Sequence, residues 1–123
     1  GRMSNPMRVG NLDSVRTFAD VRDAVRAYWL LLEKGRPGEV YNVGGERTMT
    51  VGEMLKLLKG MARCPIKHTV DRALFRPSDV TLQIPDTTKF RQETGWTPVI
   101  HLEQTLCDLL DYHRASVSRP GHV

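Results

Sequence analysis

Three stretches of the chain repeat apolar residues at the 3.6-residue period of a helix. In the first, Val21, Ala24, Val25, Tyr28, Trp29 and Leu32 share one face. Asp20 is a natural N-cap for it, Asp23 puts a negative charge in the first turn, and Gly35 is a natural stop. In the second, Val51, Met54, Leu55, Leu58 and Met61 line up behind Thr50-Val51-Gly52-Glu53. That sequence is a capping box, and Pro65 bars any continuation. In the third, Leu102, Leu106, Leu109 and Leu110 predict a helix over residues 102–114 with those leucines facing inward. A shorter helix is expected from an Asp86 cap through Phe90, closed by Gly95, with Trp96 filling the gap behind it.

Between the helices the pattern is extended. Met7 to Val9, Arg16-Thr17-Phe18, Val40-Tyr41-Asn42-Val43, residues 66–70 and residues 80–84 read as short strands or extended segments. Gly44-Gly45 stops the third of these, and Arg76-Pro77-Ser78-Asp79 is a loop because proline drives Arg76 out of helical geometry. Residues 115–123 are expected to be a loose tail. The fold class is α/β, with about four helices and a few short strands. These are too few strands for a complete doubly wound sheet, yet the helices are amphipathic enough to need a surface to pack on. A neighbouring domain would supply it; a compact independent α/β domain is the alternative.

Composition changes this picture little. The chain has 123 residues, enough for one small domain or a piece of a larger protein, and its start lacks an initiator Met, as expected of a piece. A 40% hydrophobic and 26% charged balance is globular. The +4 formal charge favours anionic ligands, but it is spread with no basic run and no basic-aromatic alternation of the kind nucleic acids select. Cys64 and Cys107 sit far apart, as two free thiols in a reducing, cytoplasmic setting would. His68, His101, His113 and His122 show no metal-ligand spacing, and no apolar stretch has the length of a membrane span.

Several catalytic arrangements are missing from the sequence. No glycine-rich turn suited to a dinucleotide pyrophosphate follows a strand, and Gly44-Gly45 reads as an ordinary turn. Tyr28, Tyr41 and Tyr112 are followed four residues later by Leu32, Gly45 and Ser116, so none belongs to a Y-x-x-x-K pair. Tyr28 and Trp29 are expected in the core, and the five methionines are dispersed packing residues. Among the basic residues, Arg76 stands out because a guanidinium in that loop can fork onto two phosphate oxygens, with Asp79 close by to steady it or to accept from a ribose diol. The bland alternative is a surface turn with a local ion pair. Arg16 has the same pair of readings, and Arg22 and Arg26 are expected to be helix-surface charges.

Taken together, the segments resemble a known family. Gly10-Asn11-Leu12-Asp13 followed by Val15-Arg16-Thr17-Phe18-Ala19-Asp20-Val21-Arg22-Asp23-Ala24-Val25-Arg26-Ala27 resembles the GNL-x-x-x-R-x-F-x-D-V-R-D-x-V-x-A stretch of GDP-sugar-processing extended short-chain dehydrogenases. Glu39-Val40-Tyr41-Asn42-Val43-Gly44 is similar to that family's strand and glycine turn. Arg76-Pro77-Ser78-Asp79-Val80 resembles its R-P-[ST]-[DE]-V motif, and Thr88-Lys89-Phe90 through Gly95-Trp96-Thr97-Pro98 resembles its T-K-x-x-x-x-x-G-W-x-P element. The four motifs occur in the family's order. The resemblance implies the C-terminal, nucleotide-sugar-binding portion of a Rossmann-type extended short-chain dehydrogenase, occupying residues 1–123, without the Rossmann domain.

Within that family the chain most resembles the GDP-mannose 4,6-dehydratase and GDP-4-keto-6-deoxy-D-mannose reductase branches. Carried over by position, the diphosphate-binding arginines fall on Arg16 and Arg76, and the acidic residue that helps hold the sugar nucleotide falls on Asp79. The resemblance further implies a GDP-sugar substrate, NADP held by the missing Rossmann domain, no catalytic residue in this chain, and a homo-oligomeric full-length enzyme. The isolated chain is expected to be inactive. Val15 and Phe18 around Arg16 lean toward the reductase. Two rival readings are a stand-alone nucleotide- or RNA-binding module and a purely structural truncation with unfilled apolar faces.

Overall fold

A computed structural model describes residues 6–117, and along these the chain forms two compact units interleaved in sequence. Unit 1 comprises residues 1–17 and 48–84, and unit 2 comprises residues 18–47 and 85–123. The expected α/β class, with four helices and a few short strands, is what the structure holds.

In unit 1, β1 (Met7–Val9) runs parallel to β4 (His68–Val70), with Met7 opposite His68 and Val9 opposite Val70. A second sheet has β2 (Val15–Phe18) at its centre, flanked by β3 (Arg47–Thr50) and β5 (Leu82–Gln83). β2 and β5 are parallel, and Arg16 lies opposite Gln83. α2 (Val51–Gly60) opens with the expected capping box: Thr50 Oγ1 accepts from Glu53 N at 3.0 Å, and Glu53 Oε2 accepts from Thr50 N at 2.7 Å.

The next two amides of α2 are also satisfied. Val51 N donates to Ser14 O at 3.0 Å and Gly52 N to Leu12 O at 2.8 Å. The helix N-terminus therefore pins the loop that leads into β2, and its orphan donors are consumed. Thr50→Ala is expected to lower the stability of unit 1 by about 1 kcal/mol, the usual worth of such a cap. Chemical denaturation with an unshifted midpoint would contradict this.

Unit 2 is built on α1 (Val21–Lys34), α3 (Thr88–Thr94) and α4 (Leu102–Val117). Asp20 caps α1 through a hydrogen bond from Arg22 N, and Gly35 N closes it on Leu31 O at 2.9 Å. The core is Ala27, Phe90 and Trp96, with Leu30, Leu31, Tyr41 and Val43 packed against it. Gly95 sits at φ 74°, the left-handed geometry that lets α3 end and Trp96 turn inward. Trp96 is buried as expected, with its ring 5.7 Å from that of Phe90.

The sequence misplaces several features. The apolar stripe of α1 points away from this core: Val21, Val25, Tyr28 and Trp29 are exposed, Trp29 by 62% and Leu32 by 82%. The buried side carries Ala27 and, unexpectedly, Asp23. Periodicity finds a face but cannot say which layer covers it, and here α1 is apolar on two opposite sides. Residues 40–43 form no strand, since strand character needs a partner ladder that is absent among the described residues.

Smaller departures concern boundaries. β3 and the 3₁₀ turn Arg72–Leu74 were not legible. Thr87, not Asp86, is the N-cap residue of α3, although Asp86 Oδ1 does accept from Thr88 N at 2.9 Å. α4 continues past Arg114 to Val117, which takes residues 115–117 out of the expected tail, while 118–123 lie outside the described residues. Along α4 Leu106 is buried and Leu109 is exposed.

Candidate functional site

The loop of residues 11–14, β2 and the Arg76-Pro77-Ser78-Asp79 loop converge in unit 1. They enclose a hollow of about 270 Å3 lined by Asn11, Ser14, Arg16, Val51, Leu74, Arg76 and Asp79. All three residues carried over from the resemblance therefore line one cavity. β2 supplies Arg16 at the position facing Gln83, and the Val15 amide ties the strand to Thr81 O at 2.8 Å.

Asp79 is the hub of the polar network. Its Oδ2 accepts from Asn11 Nδ2 at 2.6 Å and from Ser14 Oγ at 3.0 Å, while its Oδ1 lies 3.6 Å from Arg16 Nη2. Asn11 Nδ2 also reaches Ser14 Oγ at 3.0 Å, and Asn11 Oδ1 accepts from Asp13 N at 2.9 Å, which fixes the loop as an Asx turn. The hydrogen bonds from Asn11 and then Ser14 hold the Asp79 carboxyl below the usual aspartate range. The charges of Arg16 and Arg76 add to this, and burial opposes it. The carboxylate is thus ionised at neutral pH and largely occupied by protein partners.

The two arginines differ in freedom. Arg16 is braced by Asp79 and by its own Nη1 bond to Val15 O at 2.8 Å. Arg76 is exposed and donates no hydrogen bond to the described residues. Two guanidiniums against one carboxylate leave a positive surplus facing the hollow, suited to an anion with several oxygens. Asn11 and Ser14 are site residues that sequence reasoning did not single out. The signal was weak: a buried serine and a turn asparagine become informative only once Asp79, more than sixty positions away, is placed beside them.

Unit 2 has a smaller hollow of about 200 Å3 near Asp20, Arg47, Glu103 and Thr105. Its polar groups are engaged with each other. Asp20 accepts from Arg22 Nε and Nη2, both at 2.8 Å, and from Thr105 Oγ1 at 2.7 Å, and Arg47 pairs with Glu103. The hydrogen bond from Arg22 holds the Asp20 carboxyl far below its ordinary value. This cluster braces the start of α1 against α4.

The Gly44-Gly45 pair follows residues 40–43, which form no strand in the structure. Gly45 is a glycine for another reason: a Cβ there would lie 1.8 Å from Phe18 O, so the residue packs against backbone and not against a phosphate.

Residues 2–109 match the family model for GDP-mannose 4,6 dehydratase. The chain belongs to the GDP-mannose 4,6-dehydratase family. It is 32% identical over 110 residues to the GDP-6-deoxy-D-mannose reductase of Pseudomonas aeruginosa, covering 89% of this chain and 36% of that protein. It is 36% identical over 115 residues to a dTDP-glucose 4,6-dehydratase of Haemophilus influenzae, covering 85% of this chain and 34% of that protein.

Among solved structures it resembles RMD from Pseudomonas aeruginosa complexed with NADPH, with a TM-score of 0.83 and 29% identity. That match covers 93% of this chain and 37% of the other. The chain thus spans about a third of the length of the curated relatives it matches. Membership of the family places the fold as the C-terminal part of an extended short-chain dehydrogenase.

Proposed function

We propose that this chain is the nucleotide-sugar-binding part of an NADP-dependent enzyme of the GDP-mannose 4,6-dehydratase type, and that its hollow in unit 1 receives the diphosphate of a GDP-sugar. The observation that carries the reading is the juxtaposition of Arg16, Arg76 and Asp79 around one cavity. Arg76 presents an uncommitted fork of donors to a phosphate, and Arg16 adds a second positive group held in place. Asp79 acts chiefly as a positioning residue, since Asn11, Ser14 and Arg16 already occupy its oxygens. The hydride chemistry of such an enzyme belongs to NADP bound by the part of the protein outside this chain.

The sibling activity, reduction of GDP-4-keto-6-deoxy-D-mannose, is the second reading. It is favoured by the similarity to the Pseudomonas GDP-6-deoxy-D-mannose reductase. Both readings use the same anion site. The ligand is a small nucleotide sugar and not RNA, in keeping with the compact hollow of unit 1 and a scattered surface charge. The exposed free thiols Cys64 and Cys107 suit a cytoplasmic setting, and the full-length enzyme is taken to be a homo-oligomer.

Titration calorimetry of the full-length enzyme with GDP-mannose tests the assignment. Arg76→Ala is expected to raise Kd roughly 10- to 100-fold, the worth of one or two charge-assisted hydrogen bonds to phosphate. Arg76→Lys should recover only part of that loss, because an ammonium lacks the fork. Unchanged Kd in both Arg16→Ala and Arg76→Ala would remove the proposed site.

A further inference from the structure

The positive charge of the chain is unevenly shared between its two units. Unit 1 carries nine Lys and Arg against four Asp and Glu, whereas unit 2 carries nine against ten. The whole surplus therefore lies in unit 1, and Arg16 and Arg76 account for only part of it. Lys56, Lys59, Arg63 and Lys67 fall between residues 54 and 70, where no acidic residue occurs.

Two of these lysines line a second hollow in unit 1, of about 240 Å3, walled by Gly52, Leu55, Lys56, Lys59 and His68. The helical residues recur at i, i+3, i+4 and i+7, so they share one face of α2. His68 opens β4, where its backbone is fixed by the register with Met7 and by the bond from Met7 N to Lys67 O at 2.9 Å. Lys59 Nζ lies 3.1 Å from His68 Nδ1. An ammonium has donors only, so Nδ1 accepts and the ring proton sits on Nε2. Beyond that bond, every polar side-chain group in the walls is a donor.

No carboxylate answers them. In unit 1 Glu53 accepts from Thr50, Asp71 from Arg8 and Ala73 N, and Asp79 from Asn11 and Ser14. Among the described residues neither Lys56 nor Lys59 forms an ion pair, and the carboxylates of unit 1 that do so pair with Arg8 and Arg16. The helix dipole accounts for Lys59 in the last turn of α2. It does not account for Lys56 one turn earlier, where like charges on one face repel.

Convergent donors around a hollow fit an anion. Ammonium groups act as point charges and lack the planar fork that matches a carboxylate. A phosphate group brings three oxygens and roughly −1.5 to −2 charge at neutral pH, which suits two ammoniums and an imidazole N–H. We propose that this hollow binds a phosphate group, as inorganic phosphate or as the phosphate of a small phosphomonoester, through Lys56, Lys59 and the Nε2–H of His68.

The full-length enzyme, labelled with nitrogen-15 in its histidines, is titrated at constant pH with sodium phosphate, and in a second arm with glycerol 3-phosphate. Sodium chloride of equal ionic strength is the control, and His68→Gln assigns the ring signal. The His68 Nε2 resonance is expected to move saturably with phosphate or the ester and to stay in place with chloride. The arm with the lower apparent Kd tells the free ion from the ester. Lys56→Gln combined with Lys59→Gln should raise that Kd roughly 10-fold or more, the worth of charge-assisted hydrogen bonds. Glutamine keeps the helix propensity of lysine, so α2 should persist, as an unmoved melting temperature would show. An equal response to chloride overturns the inference, and so does an unchanged Kd in the double lysine variant. Arg76→Ala should leave the His68 titration unmoved, and the lysine variant should leave the Kd for GDP-mannose unmoved, so the two sites fail separately.

Discussion

Replacing Asp23 by alanine is expected to unfold unit 2 or bring it close to unfolding. Asp23 is 1% exposed, on the buried side of α1. Its Oδ2 accepts from Val99 N at 3.0 Å and from Ile100 N at 2.9 Å, and its Oδ1 from Arg26 Nη2 at 2.9 Å. The side chain therefore fixes the approach to α4 from the first turn of α1. Alanine would strand two backbone donors and take from Arg26 its carboxylate partner, leaving it only Thr97 O, at a cost of about 3–5 kcal/mol. A small domain has on the order of 5–15 kcal/mol in total. The melting temperature should fall by roughly 15 °C or more, and a fall of only two or three degrees would show that the network is dispensable.

The same carboxylate gives a pH signature. Burial pushes its pKa up, but the hydrogen bonds from Arg26, Ile100 and Val99 together outweigh that and leave it below the ordinary 3.8. A folded-state value below the unfolded one stabilises the fold above the unfolded pKa, and the gain is lost as pH falls through and below it. The midpoint of unfolding should be level above about pH 5 and drop below about pH 4. Asp23→Asn should flatten that drop relative to the parent, although Asp20, also held low by Arg22, leaves part of it.

Trp96→Ala is expected to be comparably severe, at about 3–5 kcal/mol for a fully buried aromatic in a small core. Trp96 is 1% exposed, stacks near Phe90, and donates Nε1–H to Asp23 O at 3.1 Å. Trp96→Phe should cost less, since it keeps most of the apolar volume and gives up the hydrogen bond. Because Trp96 and Asp23 are in direct contact, the double variant should be less destabilised than the two single effects predict together. Additive losses in denaturant melts would mean that the ring and the carboxylate hold separate parts of unit 2.

Local signals were the ones the sequence carried well. The Asp20 cap, the Gly35 stop and the capping box at Thr50 each involve residues within a turn of one another, and the structure has them. The site arginines were legible through four ordered motifs, and the structure brings Arg16 and Arg76 to one cavity. What failed depended on distant partners. Tyr28 and Trp29 satisfy helical periodicity, but the layer that covers them is not encoded in their spacing. Residues 40–43 have strand-forming side chains without a ladder, and Asp23 looks like a surface charge until Val99 and Ile100 are placed on it. Asn11 and Ser14 likewise acquire meaning only from Asp79.

The threading of the chain through its two units has a consequence for how the protein can be made and cut. Residues 18–47 interrupt unit 1, and residues 48–84 interrupt unit 2, so neither unit corresponds to one continuous stretch of coding sequence. No truncation from either end can deliver one unit whole and free of the other. On the ribosome, unit 1 can close only when β5 at Leu82–Gln83 has emerged. Unit 2 must wait for Phe90, Trp96 and Leu106 while α1 is already outside the tunnel, with both its apolar sides bare. During that interval α1 exposes more apolar surface than it does in the finished fold, where Ala27 is covered.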